Sequence, residues 1–247
     1  MNNQLVKIIR FIINRTGVSR SHFYIKYYRS RRGTENITHL LEATRSERFS
    51  KIYEKGVWLN ERVSGALSGS GSEFENTTKI REKLPQIISL LNIKTLLDIG
   101  CGDWTWMRHV EIPCNYIGVD IVPSVIEKNI SEFSNPGRSF KVLDAVDDEL
   151  PYCDAILARE VIFHLSFADT RSMIKNILLS NAKFLFVTTD PNVEINTDIR
   201  SGDFRMLNLN LKPFCFPPPF LTMQDDGVCA QRLIGIWKIE DLQNVVV

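Results

Sequence analysis

Between residues 94 and 189, short apolar runs recur at a steady interval and end in polar or small residues. Residues 94–98, 116–120, 140–145, 153–158 and 183–189 have the length and composition of buried strands. The stretches between them carry helical spacing. Trp104, Trp106 and Met107 predict the opening of one helix, residues 123–130 a second and residues 169–180 a third. Strands and helices alternating in this way imply a parallel sheet. The expected architecture is α/β and Rossmann-like: a doubly wound, mostly parallel seven-stranded sheet with helices on both faces.

The flanks follow other patterns. Residues 36–55 predict a helix, with Thr34 as its N-cap, Ile37, Leu40, Leu41 and Thr44 at helical spacing, and Gly56 at its end. Residues 64–72 are almost all Ser and Gly, and Ser72 with Glu75 has the form of a capping box opening a helix towards Leu91. A small-residue loop feeding a helix in this way is suited to fold over a ligand as a lid. In residues 1–32, Leu5, Ile8, Ile9, Ile12 and Ile13 share one side of a helix while Lys7, Arg10 and Asn14 share the other. After residue 189 the alternation stops. Pro217, Pro218 and Pro219 force an extended path, and the phenylalanines around them suit a pocket wall. Residues 232–240 read as a closing strand pair at the sheet edge. The chain therefore divides into a basic helical extension, 1–57, and one domain, 58–247, with a cofactor half at 94–189 and a substrate-side insertion at 190–227.

Composition narrows the function classes. A net charge of +1 over 247 residues, 44% of them hydrophobic, supports one substantial core and excludes a polyelectrolyte that binds nucleic acid through charge. Five scattered cysteines without CxxC spacing fit reduced thiols in a cytoplasmic protein. No apolar run approaches a membrane span, and Lys7 and Arg10 interrupt the only stretch resembling a secretory signal. Arg15, Arg20, Lys26, Arg29, Arg31 and Arg32 continue the basic bias, with no acidic residue before Glu35. Such a segment suits peripheral contact with the anionic inner face of a membrane, docking to a partner, or packing on the chain's own domain or a second copy, so a homo-oligomer stays open.

The chemistry centres on Leu97-Asp98-Ile99-Gly100-Cys101-Gly102-Asp103, a buried strand breaking into a Gly-x-Gly bend. The glycines allow a tight turn and let a ligand lie against bare main chain. A dinucleotide fingerprint would want a third glycine where Thr105 stands, and Asp98 would repel a pyrophosphate. A carboxylate there suits a cation, and S-adenosylmethionine offers an ammonium and a sulfonium. Asp120 ends the second strand 22 residues after Asp98 (120 − 98), the spacing one strand-helix-strand unit imposes, and suits the two ribose hydroxyls. Asp144 is expected to accept the adenine amino group, with Ala145 flanking the ring. Cys101, Gly102, Asp103 and Ile121 complete the expected seat, Arg81 is the candidate partner of the cofactor carboxylate, and Arg159 is expected to frame the cofactor or an anionic substrate. His164, one helical turn past the fourth strand, is the candidate general base, and Glu160, four residues earlier, the group that orients it or takes the proton itself. Asp190, Asp198 and Asp203 lack ligand spacing, and no metal is expected.

Several segments together resemble a family. Ser-Gly-Ser-Gly-Ser-Glu (68–73), the glycine-bend motif through Met107, Tyr-Ile-Gly-Val-Asp-Ile-Val (116–122), Arg-Glu-x-x-Phe-His-Leu-Ser-Phe (159–167), Gly-Asp-Phe-Arg-x-Leu-Asn-Leu (202–209) and Pro-Phe-x-Phe-Pro-x-Pro (213–219) are similar to those of class I S-adenosylmethionine-dependent methyltransferases associated with bacterial capsule and lipopolysaccharide loci. The resemblance covers roughly residues 58–240. Glu160 stands where that family more often has Asp, and Phe204 where it has Trp. The resemblance implies an O-methyltransferase acting on a sugar, sugar nucleotide or phosphorylated glycan precursor. N-methylation of an amino sugar or small amine, and a non-catalytic cofactor-fold module docked at a membrane complex, remain alternatives. The motif of base-flipping amino-methylases is absent after the fourth strand.

Overall fold

The computed structural model describes residues 44–58, 66–229, 231–243 and 245. Five strands run parallel: β1 (Thr95–Ile99), β2 (Asn115–Asp120), β3 (Arg138–Val142), β4 (Ala155–Ala158) and β5 (Phe184–Thr189). Two more, β6 (Leu221–Gln224) and β7 (Leu233–Lys238), extend the sheet in the order β3-β2-β1-β4-β5-β7-β6, with β7 antiparallel to both its neighbours. β1 lies between β2 and β4, so the winding direction reverses at its carboxyl end, where open α/β sheets leave a crevice for ligands.

Alternation along each central strand sends side chains to two separate cores. Leu97, Ile99, Val119, Ile156 and Val187 face a cluster that takes in Phe49 and Ile52 of α1 (Arg45–Glu54) and Met173, Ile174 and Ile177 of α4 (Phe167–Leu179). Leu96, Tyr116, Leu157 and Phe186 face the other cluster, with Ile80, Leu84 and Ile88 of α2 (Thr78–Leu90) and Ile126 of α3 (Pro123–Phe133). Buried on both faces, these strands read as continuous apolar runs, the signal on which a parallel sheet was expected. Helix ends follow capping chemistry. Thr44 and Glu47 make a reciprocal capping box on α1, Pro123 opens α3, and the Ser166 hydroxyl accepts the Asp169 N–H at the start of α4.

Several expected elements are corrected. No helix follows β1. Trp104 adopts φ +56°, which a right-handed helix cannot hold, and a single 3-10 turn covers Met107–His109. Burying the Trp104 ring against Tyr116, Phe133 and Phe140 satisfies the apolar run without a helix. Ser72 and Glu75 do not cap a helix: 3-10 turns span Ser70–Ser72 and Glu75–Thr77, and α2 begins only at Thr78. β3 closes at Val142, leaving Asp144 in the following loop. β6 arises from the segment read as wholly irregular, and it forms the sheet edge while β7 lies inside. Thr44, expected within a helix, caps one. Residues 1–43, including Thr34 and the basic amphipathic stretch, lie outside the described residues. α1 falls within the expected extension 1–57, and its Ile52 is fully buried in the main core. No helix among the described residues is long and apolar enough to cross a membrane.

Tight packing at the reversed strand gives a stability test. A Cβ on Gly235 would lie 2.2 Å from the ring of Trp237, itself 1% exposed and donating Nε1–H to the Pro217 carbonyl. Gly235→Ala is therefore expected to destabilise the protein by about 1–3 kcal/mol, the usual cost of overpacking, measured by urea unfolding. A variant as stable as wild type would show that the Trp237 ring can shift freely.

Candidate active site

A cleft with about 940 Å³ of empty volume, its mouth included, opens over the carboxyl ends of β1, β2 and β4. Its floor is the bend after β1, where Gly100 (φ +69°) and Gly102 (φ +58°) adopt the left-handed conformation that glycine reaches without steric cost. The glycines serve the chain's own packing as well. A Cβ on Gly100 would lie 2.5 Å from Val161 Cγ2, and one on Gly102 would lie 2.2 Å from Ser68 Oγ. Residues 66–72, expected as a lid, fold directly onto this bend. Asp103 accepts the Leu67 N–H (2.7 Å) and the Ser68 hydroxyl (2.8 Å), and its own N–H donates to Ser68 Oγ (3.0 Å).

Two carboxylates face the cleft from adjacent strand tips. Asp98 is 4% exposed and accepts the Tyr116 hydroxyl at 2.6 Å on Oδ2, while Oδ1 accepts nothing from the described residues. Burial raises its pKa to about 7 despite that hydrogen bond. Asp120 accepts the N–H of Gly102 (3.0 Å) and of Val122 (3.1 Å), one on each oxygen, and burial raises its pKa to about 6. An ionised carboxylate has roughly four acceptor sites, so both oxygens of Asp120 keep capacity for two hydroxyls. These features fit S-adenosylmethionine: a buried acid with one oxygen open and a second with spare acceptor sites, across a glycine bend.

Beyond β4 the chain turns sharply, with Glu160 at φ +58° and one 3-10 turn at Ile162–His164. Glu160 and His164 therefore do not share a helical face, and the expected orienting pair does not form. Glu160 Oε1 accepts Arg232 Nη1 at 2.7 Å, and Arg232 Nε reaches Asp190 at 3.1 Å. Arg159, 7% exposed, makes a forked pair with Asp225 (2.9 and 2.8 Å) and donates to the Gly71 carbonyl at 2.8 Å. Burial alone would lower the Arg159 pKa, yet Asp225 and Glu160 hold it above its ordinary value.

His164 Nδ1 lies 2.9 Å from the Asp203 carbonyl, which can only accept, so Nδ1 carries the proton and Nε2 keeps its lone pair. Burial, with Arg232 and Arg205 nearby, lowers its pKa to about 4 and keeps the ring neutral. The Trp58 ring lies against it at 4.6 Å, with Phe163 at 5.0 Å and Phe204 at 5.7 Å. Arg205 is 5% exposed, and its Nε and Nη2 find no hydrogen-bond partner among the described residues.

Of the residues expected at the site, Asp98, Gly100, Cys101, Asp120, Ile121, Asp144, Ala145, Arg159, Glu160 and His164 all line this one cleft. Gly102 and Asp103 stand just behind it, holding Asp120 and the lid loop. Arg81 is not among the residues that line the cleft. Its guanidinium stacks on Phe74 at 3.6 Å and bonds Thr77 and the Phe74 carbonyl. Asp144 is already engaged, accepting Arg45 Nε at 2.8 Å. Sequence reading missed Arg45, Phe49, Tyr53 and Trp58, which also line the cleft. The spacing of the first three, four residues apart, was the one available signal. Among the described residues no group of three His, Cys, Asp or Glu side chains is gathered to hold a metal ion.

No protein-family model matches the chain, and no curated protein sequence matches it. Among solved structures, it is similar to human N-acetylserotonin methyltransferase in complex with SAM, with a TM-score of 0.53 and 14% identity over 85% of this chain and 64% of that one. It is also similar to PigF with SAH, with a TM-score of 0.52 and 12% identity over 77% of this chain and 62% of the other. The chain thus spans less than two thirds of the length of either. At these identities the likeness shows the fold alone, which this chain shares with those two proteins.

Proposed function

We propose that the protein is an S-adenosylmethionine-dependent methyltransferase that methylates a hydroxyl of a sugar, sugar nucleotide or phosphorylated glycan precursor. The observation that carries this reading is His164, its Nδ1 spent on the Asp203 carbonyl so that Nε2 keeps its lone pair, in the same cleft that the Asp98 and Asp120 carboxylates line. Bound S-adenosylmethionine supplies an electrophilic methyl group on a sulfonium. Asp98 holds the cofactor ammonium, Asp120 its ribose hydroxyls, and the lid loop tied down by Asp103 keeps water out. His164 Nε2 takes the proton of the acceptor hydroxyl as the new C–O bond forms and the C–S bond breaks. Glu160 positions the Arg232 side of the pocket rather than the imidazole.

The rival within enzymes, methylation of an amine, draws on the charges around Arg159, where Glu160, Asp190 and Asp225 outnumber Arg159 and Arg232. Incubation with methyl-labelled cofactor and a panel of nucleotide sugars, amino sugars and simple amines tests both. Label on a sugar oxygen is the expected result. Label only on nitrogen favours the amine reading, and no transfer together with no cofactor binding would leave a non-catalytic module.

A further inference from the structure

Helix α1 was expected within the basic helical extension 1–57, which lies largely outside the family resemblance and whose role that resemblance leaves open. In the structure Arg45, Phe49 and Tyr53 stand four residues apart along α1 and all line the cleft. The helix is tied to nearly every loop that frames that cleft. Ser46 Oγ donates to the Ile121 carbonyl at 3.1 Å, next to Asp120. Tyr53 OH meets Ser68 Oγ at 3.1 Å in the lid loop, and Arg48 Nη1 donates to the Ser201 carbonyl at 2.7 Å.

Arg45 makes the strongest of these ties. Its Nε bonds Asp144 Oδ2 at 2.8 Å, its Nη1 bonds Asp169 Oδ1 at 2.9 Å, and its Nη2 bonds Asp147. Three carboxylates from the β3 loop and from α4 converge on one guanidinium that is only 16% exposed. Asp144 is also the residue read as the adenine acceptor. One of its oxygens is held by Arg45, and the other accepts the Val146 N–H at 3.0 Å.

We infer that α1 is a wall of the nucleoside end of the cofactor site, and that Arg45 is a positioning residue acting through Asp144. Arg45 fixes which way the Asp144 carboxylate faces, and it latches the helix over the bound adenosine. With the latch intact, Phe49 and Tyr53 close the cleft from above. Cofactor exchange then requires the three charge-assisted bonds of Arg45 to open, so the latch governs how fast an adenosyl ligand leaves. This rests on the function proposed above, since it takes the ligand to be S-adenosylmethionine or its product, S-adenosylhomocysteine.

The test measures S-adenosylhomocysteine binding to the full chain by calorimetry and by stopped-flow displacement. Arg45→Gln is expected to weaken binding about tenfold, mainly through faster release, because charge-assisted bonds that also orient a ligand-facing group are lost. Arg45→Lys, which keeps the charge and loses the fork, is expected to recover part of the loss. Asp147→Asn, altering a residue outside the cleft that touches α1 only through Arg45, is expected to speed release two- to threefold, an order-of-magnitude expectation for one partly exposed pair. Should Arg45→Gln fail to fold, hydrogen exchange on wild type decides instead: α1 amides are expected to slow at least about tenfold in saturating ligand. Wild-type affinity and release rate in Arg45→Gln, or α1 exchange untouched by ligand, would overturn the inference. Failure of wild type to bind S-adenosylhomocysteine at all would overturn the proposed function, a separate result.

Discussion

His164→Ala is expected to lower kcat on the best acceptor of the sugar panel by roughly 10²- to 10⁴-fold, the range that general-base catalysis contributes. Affinity for S-adenosylhomocysteine should change by no more than about twofold, because the Nδ1–H of His164 is spent on the Asp203 carbonyl and not on the nucleoside end. Alanine also empties the space beside Trp58 and Phe204, so His164→Asn serves as the volume control, checked for stability in urea. The pH profile gives a sharper test. Burial holds the imidazole pKa at about 4, so protonation removes the base only near that value. The limb of kcat assigned to His164 should therefore fall below about pH 5, and the rate should run flat through pH 6.5, where a free histidine titrates. Alanine at 164 should abolish that acid limb. A variant that turns over as fast as wild type would remove His164 from the reaction, and Glu160, which the chain keeps bound to Arg232, would be the next group to examine.

How much of this was legible in the sequence depends on the range of the forces involved. The placement of Asp98 and Asp120 on adjacent strand ends was readable because the crossover between two neighbouring parallel strands has a narrow range of lengths, although here it holds a 3-10 turn and not the expected helix. The sheet was readable because strands buried on both faces must be apolar throughout. The stretch after β1 was misread for the same reason: Trp104, Trp106 and Met107 are apolar enough for a helix, yet their burial under the sheet is met by a strained turn at Trp104. Arg81 was chosen on helical periodicity, which says which residues share a face and not which way that face points. The Arg45 latch joins residues 99 positions apart, and Arg159 finds Asp225 66 positions away. No local pattern encodes such pairs. Glu160 was assigned to His164 on a helical spacing, and its positive φ, a property of the tight turn after β4, removed the premise.

Asp98→Asn is expected to weaken S-adenosylmethionine binding on the order of 100-fold or more and, at the same time, to stabilise the ligand-free protein above pH 7. Both effects come from one buried carboxylate. With its pKa raised to about 7 by burial, Asp98 binds more protons in the folded state than in the unfolded state between about pH 4 and pH 7. Stability of the ligand-free protein therefore falls as pH rises through that window, and asparagine, which cannot ionise, removes the penalty. A rise of about three pKa units at 1.36 kcal/mol each sets the gain at roughly 2–4 kcal/mol at most, readable as a higher urea midpoint at pH 8. Cofactor binding works against the same penalty. An ammonium beside Asp98 favours the ionised acid, so binding at pH 6 should release close to one proton, and binding at pH 8.5 almost none. Calorimetry in two buffers of different ionisation enthalpy counts those protons. Affinity should climb almost tenfold per pH unit below 7 and level off above it, with Asp120, raised to about 6, steepening the slope at the acid end. In Asp98→Asn the proton count should drop and most of the slope should vanish. A variant that binds the cofactor normally, or a wild type that releases no proton at pH 6, would mean the ammonium is held elsewhere and the acid at the tip of β1 is there for Tyr116 alone.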